Sequence, residues 1–267
     1  MTTLLKPDGS YTSNLNQIVQ AMLDHLTATD DQTGDTEYHK RIRIQTKEPN
    51  QISDDGEFTS AEVMNTIVDI KDKKAPGEDG ITGVIYHMVY KLFPTLTYTI
   101  YREFLRTGCF PKRRKKDKII PITKPGKEKV KDAPKFRPIR LINVGGKVLE
   151  KLLINRIMHY IYSNNLLNAK QYGFTPKKST TDVRLAVKEY IEEGFGQGHI
   201  TILVSLYIMG AFDAAWWPSI LHTLKEFNCP KNLYNLARSY FSDRTATIHT
   251  NNLQIEREVS KGCPQGS

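Results

Sequence analysis

Between Lys112 and Lys151 the chain carries 15 Lys and Arg against four Asp and Glu, a net +11, while the rest of the 267 residues sums to −2. The centre of this stripe is Lys112-Arg113-Arg114-Lys115-Lys116. Cations focused on one stretch attract a polyanion far better than the same charge spread evenly, so the chemistry offered most directly is contact with nucleic-acid phosphates. A solvated basic loop or a nuclear-import patch is the alternative reading of the same run. Other chemistries find less support. The three cysteines, Cys109, Cys229 and Cys263, are odd in number and far apart, which argues against a disulfide framework or a zinc site. The seven histidines form no HExxH or HxxxH pair. Asp54-Asp55 reads as a turn without a strand pattern, and Asp213 reads as a capping or structural carboxylate. Trp216-Trp217 and Tyr172-Gly173-Phe174 read as packing residues, although aromatics beside cations can also stack on bases.

The elements that must position these residues are of mixed type. A chain that is 39% hydrophobic and 25% charged buries a core of ordinary size and is not disordered throughout. Its longest mostly apolar stretch, Ile200 to Phe212, is too short to span a bilayer, and the polar Met1 to Ser10 is no signal peptide. An intracellular protein of nucleus or cytoplasm, without a membrane partner, is expected. Residues 1–56 read as an acidic N-terminal linker region with one short helix near Leu15 to Leu26; through Ser60 there are ten acidic residues against five basic. Thr59 and Glu62 have capping-box spacing, and Val63, Ile67 and Ile70 continue at helical period. Helical patterns run through Val84 to Phe93 and Leu96 to Leu105, and Gly108 and Pro111 end that part. Lys118 to Ile122 is β-like and leads to a turn at Lys124-Pro125-Gly126-Lys127. A long amphipathic helix places Val148, Leu149, Leu152, Leu153, Arg156, Ile157, Tyr160 and Ile161 on one face, and Ser179 with Asp182 caps a second helix. Ile200 to Met209 reads as a buried central strand. Helices at Pro218 to Phe227 and Lys231 to Phe241 precede a β-hairpin of Arg244 to Thr250 and Leu253 to Val259 around Asn251-Asn252.

Six blocks then stand in a recognisable order: KAPGEDGI (74–81), KPGK (124–127), FRPIRLINVGGKVLEKLL (136–153), QYGFTPKKSTTD (171–182), GAFDAAWWPSIL (210–221) and GCPQGS (262–267). Together they resemble the reverse transcriptase domain of a non-LTR (LINE-type) retrotransposon polyprotein, over roughly residues 57 to 267. The AFDAAWW wording is similar to insertion-site-specific elements of arthropods. The resemblance implies an α+β right-hand polymerase fold. Residues 57–267 would be a partial domain, the fingers plus the first part of the palm, with the thumb and the second catalytic hairpin absent. It also implies an RNA template, a DNA primer, deoxynucleoside triphosphates and Mg²⁺ as partners and cofactor.

In that family two hard cations, held by carboxylates, activate the primer hydroxyl and hold the triphosphate. The first-strand pattern resembles L-D-x-x-G-A-F-D, and here it reads Leu206-Tyr207-Ile208-Met209-Gly210-Ala211-Phe212-Asp213, so Tyr207 stands at the position of the metal-binding Asp. A phenol, with a reference pKa of about 10, is a poor Mg²⁺ ligand at neutral pH. The Asp-Asp block that should follow the Pro-Gln-Gly turn is not reached before Ser267, and no metal ligands are assigned. By the resemblance, Lys124 and Arg137 match cations on the incoming triphosphate, and Phe212 matches the residue that blocks a ribose 2′-hydroxyl. Gln265 and Gly266 match the turn under the nascent base pair. Generic phosphate contacts for the cations and core packing for Phe212 remain the alternatives. Two further departures are Arg114 in place of an aromatic, which would bury a charge at a packing position, and Arg140 in place of a Ser. The expectation is a fragment of an RNA-directed DNA polymerase, inactive as it stands; the alternative is a dead remnant that only binds nucleic acid through its basic fingers.

Overall fold

The computed structural model describes residues 3–6, 9–126, 136–208, 210–250 and 253–263. They fall into two compact units, Met1–Met158 with Gly210–Ser267, and His159–Met209. In the first unit a four-stranded sheet runs in the order β2 (Phe136–Leu141), β1 (Lys116–Thr123), β3 (Arg244–Thr250), β4 (Leu253–Val259). The outer pairs are antiparallel, and the central β1·β3 pair is parallel, with Asp117 opposite Ala246.

Alternation along the strands separates two faces. Ile119, Ala246, Ile248 and Val259 point into one buried cluster, which α1 (Leu15–Leu26) completes with Ile18, Val19, Met22, Leu23 and Leu26. Asn14 caps α1 by accepting from the Gln17 N–H at 2.9 Å. The segment expected to be a linker is therefore built into the fold, since α1 covers the sheet and α2 (Glu37–Lys47) packs on α8 (Trp217–Glu226). Its acidic residues look like those of a solvated connector but serve as ion-pair partners: Asp30 and Asp35 hold Arg43, and Asp55 holds Arg156 at 2.8 Å.

A second cluster joins α3 (Ser60–Val68), α5 (Pro94–Thr107), α6 (Val144–Ser163), α8 and α9 (Lys231–Phe241) around Tyr101, Leu149 and Tyr234. The Thr59–Glu62 capping box forms as its spacing predicts. Pro94 occupies the first turn of α5 directly after α4 (Gly83–Leu92), and Gly108 ends α5 in the left-handed region, φ 62°. Gly77 lies where a Cβ would sit 2.6 Å from Asn143 Cα and 2.9 Å from the Ile142 carbonyl carbon, so only glycine lets the 74–81 loop approach the β2–α6 junction.

The two clusters meet a buried polar group. Asp117 on β1, Arg244 on β3 and Arg140 on β2 are each 1% exposed or less. Arg244 donates to Asp117 at 2.7 Å, its guanidinium lies 4.4 Å from the Tyr240 ring, and the Tyr240 hydroxyl donates to Glu150 at 2.8 Å. Arg140 stands 3.9 Å from Asp117 and donates to the Leu26 carbonyl at 3.2 Å. Burial pushes the Asp117 carboxyl up and the Arg140 guanidinium down from their ordinary ranges, against the mutual attraction of the group.

The second unit holds the end of α6 and α7 (Thr180–Gly196), whose N-terminus carries the expected Ser179–Asp182 capping box. Two expectations are corrected here. Residues 200–208 form no strand, and Ile200, Ile202, Leu203, Val204, Leu206, Tyr207 and Ile208 are exposed. β-branched composition favours a pleated surface only where a ladder and a covering layer exist, and the four strands of the sheet come from other segments. Phe174, read as packing, is exposed, while Tyr172 lies half-buried beneath the Lys178 ammonium. Among the described residues no helix is long and apolar enough to cross a membrane.

Two outcomes test this arrangement. Gly77→Ala is expected to cost about 1–3 kcal/mol by overpacking, read as a lowered urea midpoint with unchanged m; an unchanged midpoint would contradict the close approach. Burial of Glu62 opposes its ionisation, but Arg156 and Thr59 outweigh it and hold the carboxyl at about 2. A carboxyl depressed on folding adds stability above its unfolded value, and that stability is lost as pH falls from about 4.5 towards about 2. Glu62→Gln should flatten this part of the stability–pH curve, and an unaltered curve would count against the pairing.

Candidate nucleic-acid interface

The 112–116 run sits where a 3₁₀ turn, Lys112–Arg114, feeds β1. Its five cations have different surroundings. Lys112 and Arg113 are exposed. Arg114 is half-buried; it donates to the Gly145 carbonyl at 2.9 Å and lies 5.4 and 5.1 Å from the Tyr101 and Phe104 rings. An Arg in place of an aromatic is thus accommodated by ring faces and a carbonyl. Lys115 is 5% exposed and contacts Ser239 Oγ at 3.5 Å beside a polar cavity of about 380 Å³. Burial holds its ammonium below the usual lysine range. Lys116 pairs with Glu78 at 3.1 Å and Glu256 at 2.8 Å. The structure therefore presents Lys112 and Arg113 outward and sets Lys115 and Lys116 into the fold.

The antiparallel β1·β2 pairing places Arg137 opposite Ile122 and Phe136 opposite Thr123. Lys124, next after Thr123, and Arg137 are thereby brought to one end of the same strand pair. Arg137 is exposed on the sheet face that α1 leaves uncovered, beside the partly exposed Ile120 and Ile122. Lys124 is close enough to α1 for its charge, together with the larger effect of burial, to lower the His25 pKa.

The 210–217 segment is tied to the chain beyond β4. Phe212 accepts from the Cys263 N–H and Ala215 from the Gly262 N–H, each at 2.8 Å, and the Trp217 indole donates to the Gly262 carbonyl at 2.8 Å. A Cβ on Gly262 would meet the Asp213 backbone at 3.2–3.3 Å. Trp217 is buried as expected, whereas Trp216 is half-buried between His39 and Arg43. Phe212 is 54% exposed, so core packing is not its role. Tyr207 is 89% exposed in the second unit. Gln265 and Gly266 lie outside the described residues.

Among the described residues no three His, Cys, Asp or Glu side chains stand close enough to share a metal ion. Asp213 lies in an exposed turn, and the Tyr207 phenol, in the second unit, is a poor donor for Mg²⁺, so neither residue fits that ion as the family's carboxylates would. Sequence reasoning missed Asp117 as the counter-ion of Arg140 and Arg244, and Glu78 as the partner of Lys116. The signal for both lies in strand pairing rather than in spacing along the chain.

If Lys112 and Arg113 each contact one phosphate, changing both to Gln should weaken binding of single-stranded RNA and reduce the salt slope of log K by about 1.4. Lys115→Met should leave that slope nearly unchanged. Titrations at several salt concentrations measure both, and equal slopes for the wild type and the double variant would contradict the assignment.

The sequence profile described as "Reverse transcriptase (RNA-dependent DNA polymerase)" matches residues 122–267. The Retrovirus-related Pol polyprotein from type-1 retrotransposable element R1 of Bradysia coprophila is 28% identical over 264 residues, 98% of this chain and 25% of that protein. The RNA-directed DNA polymerase from mobile element jockey of Drosophila funebris is 31% identical over 214 residues, 78% of this chain and 23% of that protein. A 115 kDa protein in type-1 retrotransposable element R1DM of Drosophila melanogaster is 30% identical over 207 residues, 77% of this chain and 20% of its own length. The chain thus spans between a fifth and a quarter of these relatives. With a mixed α and β architecture around one four-stranded sheet, and with these matches, the chain belongs to the reverse transcriptase family, among the polymerases of non-LTR retrotransposons.

Proposed function

We propose that residues 57–267 are the fingers and the first part of the palm of an RNA-directed DNA polymerase, and that this chain grips template and primer without extending them. In this reading residues 1–56 precede the polymerase domain proper and brace it through α1. The observation that carries the grip is the joint placement of Lys124 and Arg137 at one end of β1 and β2, within the stretch of net +11. A triphosphate or a backbone phosphate meets cations there, and among the described residues no carboxylate is ion-paired with Arg137. Lys112 and Arg113 add sequence-independent phosphate contacts at the start of β1. By the resemblance Phe212 would face the incoming sugar, and Gln265 and Gly266, outside the described residues, match the family's turn beneath the base pair.

What supports the loss of extension is Tyr207 at the place where the resemblance puts a carboxylate. Replacing a hard anionic oxygen donor by a phenol removes the charge that divalent-metal catalysis of phosphoryl transfer needs. The family would supply that chemistry with Mg²⁺; this chain supplies phosphate binding and strand orientation.

Primer extension tests the reading. The purified chain, with an RNA template, an annealed DNA primer and either Mg²⁺ or Mn²⁺, should give no product above a protein-free control. The same preparation should bind the template–primer with an affinity that falls steeply between about 50 and 200 mM salt. Extension above background would overturn the loss of activity, and salt-independent binding would overturn the electrostatic grip.

A further inference from the structure

A recess of about 340 Å³ opens where α3, residues 69–74 and α6 meet. Its apolar lining comes from Ile70, Val148 and Ile154, and four lysines, Lys71, Lys74, Lys147 and Lys151, also line it. Only Lys151 has a carboxylate partner, Asp69 at 2.6 Å; among the described residues Lys71, Lys74 and Lys147 have none within salt-bridge distance. Glu150 reaches the recess but is engaged by the Tyr240 hydroxyl, and burial pushes its carboxyl up, which weakens it as a counter-charge. Lys147 is half-buried, and burial together with the charge of Lys74 holds its ammonium below the usual lysine range. Lys71 and Lys74 are exposed and Lys147 is half-buried, so the recess gathers four ammonium groups against the two carboxylates of Asp69 and Glu150, a net positive mouth beside an apolar wall.

We propose that this recess binds one nucleotide unit of a nucleic-acid strand, the lysines taking its phosphate and Ile70 and Ile154 its base. An inorganic anion would satisfy the lysines and leave the apolar wall wet, and an apolar ligand would leave the lysines unpaired. A nucleotide satisfies both, and the volume lies in the range of small-ligand sites. The recess is separate from the 112–116 run and from the Lys124–Arg137 pair. A bound phosphate would offset the repulsion of Lys147 by Lys74, so binding favours the charged form of Lys147. The proposal rests on the reading that the chain binds nucleic acid.

Amine acylation read by mass spectrometry tests it, with AMP and then single-stranded RNA as the added ligands. Lys73, exposed and outside the recess, is the internal reference. AMP should protect Lys74 and Lys147 from acylation and leave Lys73 reactive, while adenosine, without the phosphate, should protect neither. The double variant Lys74→Gln with Lys147→Gln should weaken RNA binding by about 5- to 10-fold at moderate salt, and Lys73→Gln should change it less than two-fold. A thermal melt matching the wild type shows that the double variant is folded, and Lys147→Arg with Lys74→Arg should restore binding. Equal protection of Lys73 and Lys147, or equal loss in the two kinds of variant, would overturn the site. If RNA fails to bind the wild type while AMP still protects Lys147, the grip fails and the recess stands; RNA binding without selective protection sinks the recess alone.

Discussion

A single carboxylate, Asp117, lies between two guanidinium groups inside the protein, and the sheet is arranged around it. Asp117, Arg244 and Arg140 come from three adjacent strands, and all are removed from water. Taking such charges out of water is costly, and the mutual attraction offsets that only when the geometry is met. A one-residue slip of β1 against β3 would turn Asp117 to the other face and leave Arg244 buried without its anion. The pair therefore selects the parallel register that puts Asp117 opposite Ala246. Tyr240 and Glu150 extend the group into α9 and α6, so the same interaction ties the helical cluster to the sheet.

This constraint also sorts the basic stretch. Once β1 is fixed at Asp117, the residues on either side have assigned directions. Lys115 turns into the cavity beside α9, Lys116 meets Glu78 and Glu256, and Ile120 and Ile122 are left on the open face with Arg137. A charge total over 40 residues thus combines two kinds of cation. Some brace the fold through carboxylates, carbonyls and rings; others, Lys112, Arg113 and Arg137, face solvent, where a phosphate can reach them.

Local chemistry was legible in the sequence wherever it acts over a few residues. The capping boxes at Thr59 and Ser179, the helix Leu15–Leu26 and the hairpin of β3 and β4 all follow from spacing and turn residues. What needed partners far along the chain was misread. Arg140 reads only as a departure from the family's Ser until strand pairing supplies Asp117 from 23 residues earlier. Ile200 to Ile208 has the composition of a central strand, yet the central strands are β1 and β3. The acidic N-terminal segment resembles a linker because its charge is that of a solvated connector, whereas its carboxylates pair with Arg43 and Arg156. Of the site, the residue types of Lys124 and Arg137 were legible, and their common end of the sheet follows only from the β1·β2 register.

A double-mutant cycle on Asp117→Asn and Arg244→Met, followed by denaturant unfolding, tests the central role of the buried pair most directly. Each single change should cost about 3–5 kcal/mol, because Asp117→Asn leaves two buried guanidinium groups without their anion and Arg244→Met leaves Asp117 only the more distant Arg140. The two together should cost less than their sum by at least about 1.5 kcal/mol. Additivity within about 0.5 kcal/mol would show that Asp117 and Arg244 act independently, and that the register of the sheet is set elsewhere.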